Sequence, residues 1–218
     1  MPLSTQLINM MAALLLLISF AMLSQRRILS LIYLFAWQGA VLAANSVIVA
    51  WSTGQTHLYY SALLTFALKV VVLPWILHRL AIRLNIRWDV ETLINIPTTM
   101  LAGIALVIIS FNLALPITQL AGTITRGTLG IAIAIVLLSF LMMITRRKAV
   151  PQVIGFLAME NGLFFAATST TYGKPMVVEL GVALDVLIGM LILGIFFFQV
   201  REAFDSLDLK HMEKLKEE

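Results

Sequence analysis

The chain has 218 residues, of which 61% are hydrophobic and 12% charged; its mean hydropathy is +0.99 and its formal net charge +4. Soluble domains are about 45–50% apolar and about 25% charged, so this composition excludes an ordinary soluble enzyme. The absence of cysteine excludes iron–sulfur clusters, thiolate metal sites and disulfides.

Apolar runs of about 20 residues, long enough to span a bilayer, recur along the whole length. They predict seven transmembrane helices at roughly 5–23, 29–52, 58–80, 93–113, 127–145, 151–171 and 177–200. The fold class is therefore all-α, a polytopic transmembrane helix bundle. Nothing basic precedes the first run and no small-residue cleavage site follows it before Arg26 and Arg27, so it reads as a span and not as a cleavable signal. The second run carries Gln38-Gly39-Ala40. The third carries Ser61, Thr65 and Lys69 at i, i+4 and i+8, on one helix face. Pro74 cannot donate to the carbonyl of Val70 and is expected to kink that helix beside Lys69.

Gly122 to Gly130 reads as a loop and helix entry. Pro151 stands at a helix start, where its missing donor costs little. The sixth run holds Glu160 and Asn161, with Gly155, Ala158 and Gly162 as small positions. The seventh holds Glu179 near its outer end, then Gly181, Asp185 and Gly189 on one face. Small residues there let a neighbouring helix approach closely, which places the Asp185 carboxyl between helices. The tail 201–218 mixes both charge signs with Phe204, Leu207, Met212 and Leu215 and reads as a short amphipathic helix, either a solvated extension or a docking element.

Alternate loops concentrate the basic residues: Arg26 and Arg27; Arg79, Arg83 and Arg87; Arg146, Arg147 and Lys148; then Arg201, Lys210, Lys214 and Lys216. The opposite loops hold only Arg126 and Lys174. By the positive-inside rule the N-terminus faces out and the C-terminus is cytoplasmic. Trp51, Tyr59, Tyr60 and Tyr172 then fall at the outer interface as an aromatic belt.

Lys69, Glu160 and Asp185 are the candidate functional residues. Each charge costs roughly 2.5–3.5 kcal/mol at the centre of a spanning helix on insertion scales. Intramembrane charges at that cost point to proton or cation movement, with interhelical ion pairing as the bland reading. Asn161 and Glu179 are secondary candidates. His57, His78 and His211 fall in separate loops or helix ends with no metal-ligand spacing. Neither a phosphate-binding loop nor a dinucleotide fingerprint is present, and nucleic acid is not an expected partner. No nucleophile–base pair marks the chain as an enzyme by itself.

The chain loosely repeats itself. Arg26-Arg27, a span with Gln38 and a span with Lys69 are followed later by Arg146-Arg147, a span with Glu160 and a span with Asp185. A parallel duplication and the convergence of two hydrophobic hairpins both account for this.

The run Ile154-Gly155-Phe156-Leu157-Ala158-Met159-Glu160-Asn161, with Ala183-Leu184-Asp185-Val186-Leu187-Ile188-Gly189, resembles the three-helix K subunit of respiratory complex I. It is likewise similar to the C subunit of multisubunit cation/proton antiporters. The resemblance covers about residues 127–205. It departs at Leu157, where the K subunit has its first glutamate; the acid here is Glu160, about one turn away. Taken whole, the chain resembles the hydrogenase-4 component E family of formate hydrogenlyase membrane subunits.

That resemblance implies three regions: a four-helix membrane region over 1–126, a three-helix K-subunit-like region over 127–200, and the cytoplasmic tail 201–218. It implies a non-catalytic subunit of an energy-converting [NiFe] hydrogenase in the cytoplasmic membrane. Lys69, Glu160 and Asp185 would contribute to its proton relay. Antiporter-like and hydrogenase-anchoring membrane subunits would be its partners. The nickel–iron centre and iron–sulfur clusters would sit on other subunits, with no cofactor in this chain. The alternatives are a subunit of a cation/proton antiporter and a structural scaffold held by interhelical ion pairs.

Overall fold

The computed structural model describes residues 3–83, 92–121 and 126–171, together with seven single positions between 181 and 194. Residues 1–182 form one compact unit and 183–218 another. In the second unit the described positions, Ala183, Val186, Leu187, Gly189, Met190 and Gly194, are helical. The predicted seventh span and the tail 201–218 otherwise lie outside the described residues.

The first unit is built from α1 (Leu3–Ser24), α2 (Ile28–Thr53), α3 (His57–Phe66), a π-helical turn (Ala67–Val72), α4 (Leu73–Arg83), α5 (Ile96–Ala121), α6 (Arg126–Thr145) and α7 (Ala149–Thr171). With α3, the π turn and α4 taken as one span, six helices among the described residues are long and apolar enough to cross a membrane. The chain is an integral membrane protein by that measure. The first six predicted spans coincide with these helices.

Two boundaries follow from particular residues. Gly54 ends α2 in the left-handed region, φ +69°, and returns its N–H to Ala50 O at 2.9 Å. This backbone is strained for any residue with a Cβ. The turn is short enough to fold α3 back along α2. By contrast, α5 continues through Pro116 to Ala121, beyond the expected end at 113. The apolar run resumes after the proline, and a spanning helix tolerates the single lost hydrogen bond.

Neighbouring helices pack in sequence, α1 on α2, α2 on α3, α5 on α6 and α6 on α7. In addition α6 lies against α1 and α7 against α2. Ala12, Leu15, Leu42, Val49, Ala50, Leu58, Ala132, Ile135, Phe164 and Phe165 make a shared core. In a bilayer close packing matters more than apolarity. On α7, Gly155 faces Met143 and the Ser139 carbonyl, and Gly162 faces Ile135 and Val136, so α6 and α7 meet closely at both places. The exterior is apolar and aromatic: Trp51, Tyr59 and Tyr60 are exposed around the Gly54 turn, and Leu63, Leu101, Ile108 and Ile144 along the helices.

Arg146 departs from its reading as a loop charge. It is 1% exposed, and its guanidinium donates to Leu23 O at 2.7 Å and Met22 O at 3.5 Å, capping the last turn of α1. Both carbonyls lie at the negative end of the helix dipole, and Met22 O also accepts the N–H of Gln25 at 3.2 Å. Burial lowers the Arg146 pKa, yet a guanidinium stays charged in proteins. Next to it, Leu93 donates its N–H to Thr145 O at 2.8 Å, which ties the entry of α5 to the exit of α6. Arg146→Ala is expected to cost about 1.5–3 kcal/mol, the worth of a hydrogen bond to a charged group. Arg147→Ala, at an exposed neighbour, should stay within about 0.5 kcal/mol. Thermal midpoints of the two variants in mild detergent check the contrast.

Candidate functional site: a buried charged and polar cluster

Lys69 sits in the π-helical turn between α3 and α4, fully buried. The turn arises where Pro74 removes a donor from the helical ladder. Leu73 N–H reaches Leu68 O, five residues back instead of four. The expected break beside Lys69 is therefore a widened turn, a device frequent at functional sites.

α2 comes exceptionally close to this turn because residue 39 has no side chain. A Cβ built on Gly39 would lie 2.8 Å from Lys69 Cβ and 3.3 Å from the Lys69 carbonyl carbon and oxygen. The approach sets Gln38, which is fully buried, into the layer of the Lys69 head group. From the other side α7 contributes Glu160 and Asn161, 3% and 1% exposed.

The groups join end to end. Lys69 Nζ donates to Asn161 Oδ1 at 2.7 Å and stands 3.6 Å from Glu160 Oε1. Asn161 Nδ2 donates to Gln38 Oε1 at 3.0 Å. Gln38 Nε2 donates to Ser19 Oγ at 3.0 Å, and Ser19 donates to Leu15 O at 2.9 Å. Lysine has donors only, so Asn161 must present its oxygen to Lys69, and the amide directions follow from there to α1. Every donor in the chain points away from the ammonium. Phe164, one turn along α7, places its ring centroid 5.6 Å from Nζ, within cation–π range.

The energies are close to balance. Two charges at bilayer depth cost about 5–7 kcal/mol. At an effective dielectric of about 20, the pair at its observed separation returns about 5 kcal/mol. The charged Asn161 hydrogen bond returns a further ~1.5–3 kcal/mol. Such a site holds its charges without a large surplus.

The structure thus brings together Lys69, Glu160 and Asn161. Asp185 and Glu179 lie outside the described residues. Ser19 and Gln38 are members that the sequence did not mark as site residues. Gln38, an amide inside an apolar run, was the available signal. Ser19 had none, because a serine in a spanning helix commonly bonds its own helix. Among the described residues no group of three His, Cys, Asp or Glu side chains is placed to hold a metal.

These features define a polytopic membrane protein with an ion pair and a hydrogen-bonded amide chain at its centre. The chain is 31% identical over 212 residues to the uncharacterized protein Rv0085 of Mycobacterium tuberculosis (strain ATCC 25618 / H37Rv), covering 97% of this chain and 96% of that one. It belongs to the same family as that protein. It is also 22% identical over 188 residues to Hydrogenase-4 component E of Escherichia coli (strain K12) and of Shigella flexneri, covering 86% of this chain and 82% of theirs. That is a distant homology across most of both chains, and it supports the component E resemblance. No protein-family model and no solved structure matches.

Proposed function

We propose that the chain is a non-catalytic membrane subunit of a complex-I-related energy-converting [NiFe] hydrogenase, of the hydrogenase-4 or formate hydrogenlyase type. In this reading it lies between antiporter-like and hydrogenase-anchoring subunits of the cytoplasmic membrane, with its C-terminus cytoplasmic. The redox metals belong to those partners. Support comes from the distant homology to Hydrogenase-4 component E and from the observation that carries the proposal, the Lys69–Glu160 ion pair inside a spanning bundle.

The pair and its amide chain act as one element of a lateral charge relay. A charge change in a neighbouring subunit shifts the field at Lys69. The ammonium then moves relative to Glu160, and Coulomb coupling at low dielectric passes the change on. Asp185 enters the relay on its sequence context alone, an acid flanked by Gly181 and Gly189 on one helix face.

Neutral replacements test this in the intact complex: Lys69→Met, Glu160→Gln and Asp185→Asn, with proton movement measured per redox turnover in membrane vesicles. Lys69→Met and Glu160→Gln are expected to lower the ratio about tenfold or more, since 1.4 kcal/mol of lost coupling suffices for that factor and the pair energy exceeds it. Asp185→Asn should also lower it. Unchanged ratios in all three variants, with the complex assembled, would sink the relay.

A structural scaffold is the second reading. It is favoured by the Asn161 bond, which fixes Lys69 from the same helix that carries Glu160. On that reading the neutral variants dissociate the complex instead of uncoupling it. A pull-down from membranes with iron and nickel analysis comes first. Nickel and iron on a co-purifying large subunit support a hydrogenase, and antiporter subunits without them support a cation/proton exchanger.

A further inference from the structure

Most buried hydroxyls in these spans are satisfied locally. Ser19, Ser46, Ser139 and Thr168 each donate to the carbonyl four residues back. Thr65 and Ser61 depart from this habit. Thr65 is fully buried and Ser61 is 8% exposed, and neither hydroxyl has a hydrogen-bond partner. On the facing helix Asn45 is fully buried, and neither its Oδ1 nor its Nδ2 has one. Gln55 Oε1, just past the Gly54 turn, is a fifth such atom and belongs to the fourth residue of the set.

Their placement is ordered. Thr65 and Ser61 lie one and two turns from Lys69 on its own face, about 6 and 12 Å along the helix. Asn45 lies about 9 Å along α2 from Gly39, the residue that touches Lys69. All four lead the same way, from the buried ammonium toward the Gly54 turn. Leu58, fully buried on the same face, joins Val49 and Ala50 in the core between Ser61 and that turn.

A polar atom in hydrocarbon without a partner is costly, and a row of them is what a file of water molecules binds. None of the four side chains is a carboxylate, and the inner end of the row is a lysine. Both features disfavour a metal cation as the occupant. We infer that Thr65, Ser61, Asn45 and Gln55 line a water-filled access path through the α2–α3 hairpin, running from the Gly54 end to Lys69 and gated by Leu58. Hydrophobic constrictions of this kind gate by wetting and dewetting. The inference deepens the relay reading by giving Lys69 contact with water from one side of the membrane.

Cysteine accessibility tests it without measuring proton movement, so either idea can fail alone. The natural chain is cysteine-free, so the introduced thiol is the only one in this subunit, and labelling is read on the subunit after separation from its partners. Ser61→Cys and Thr65→Cys are near-isosteric, and Leu63→Cys on the exposed face of the same helix is the lipid-facing control. Thr56→Cys in the exposed turn reports the side of the membrane. The full complex is treated in sealed vesicles of both orientations with a membrane-impermeant methanethiosulfonate. The thiolate attacks the sulfenyl sulfur of the reagent and displaces methanesulfinate, and ionising the thiol needs water. Ser61→Cys and Thr65→Cys are expected to react about tenfold or more faster than Leu63→Cys, from the side that labels Thr56→Cys, and faster again with Leu58→Ala. Rates no higher than those of Leu63→Cys in either Leu58 background, or reaction from the opposite side, would overturn the path.

Discussion

Lys69→Met should destabilise the bundle by about 3–5 kcal/mol, because it leaves the Glu160 carboxylate in the interior without its cation. The loss extends beyond the ion pair. Asn161 Oδ1 loses its donor, and the amide chain to Ser19 loses the charge that orients it. The double variant Lys69→Met with Glu160→Met should recover most of the loss, since an apolar pair of similar volume often matches or exceeds a buried ion pair in stability. Reversible unfolding in mixed micelles of the two single variants, the double variant and the parent gives the coupling directly. Additive losses would show that Lys69 and Glu160 do not sustain each other. Recovery of stability without recovery of proton movement would separate what holds the bundle from what the pair does.

Gly39→Val should be the next most damaging substitution. The first added carbon already meets Lys69 Cβ at 2.8 Å and the Lys69 backbone at 3.3 Å. Backbone cannot rotate away as a side-chain tip does, so α2 must shift. Overpacking of this kind costs about 1–3 kcal/mol, and here it should also break the Gln38–Asn161 hydrogen bond. Gly39→Ala should lie in the same direction with a smaller loss. Gly127→Ala is the control, because a Cβ there meets nothing within 4 Å and replacing a helical glycine is neutral or favourable by up to about 1 kcal/mol. Midpoints of thermal unfolding in detergent compare the three, and a neutral Gly39→Val would show that the close approach is not required.

The spans were legible because an apolar run of bilayer length needs no tertiary information. Pro74 announced the break at Lys69, although the sequence could not say that it would take the form of a widened turn. The ionisable residues announced themselves by their cost. Their pairing did not: helical spacing tells which face a residue occupies and not which helix lies opposite. Lys69 and Glu160 belong to separate hairpins, brought together by α7 packing on α2. Arg146 was hidden for a different reason, since a basic residue between two spans is indistinguishable from a topology marker until the end of α1 is placed against it. Neutral polar residues are the least legible, because a serine that bonds its own helix and one that receives a glutamine look alike in sequence. Asp185 and Glu179 rest on sequence context alone.

The ion pair also bears on how the chain is made. Lys69 and Asn161 are 92 positions apart, so a ribosome adding about 5–20 residues per second leaves the lysine in the membrane for several seconds before α7 exists. The capping of α1 by Arg146 waits longer, across 123 positions. Through that interval the Lys69–Glu160 ion pair and the Arg146 cap of α1 are both unmade. A chain truncated before α7 would therefore present the quality-control machinery with an intramembrane lysine that lacks the Glu160 and Asn161 it meets in the folded bundle.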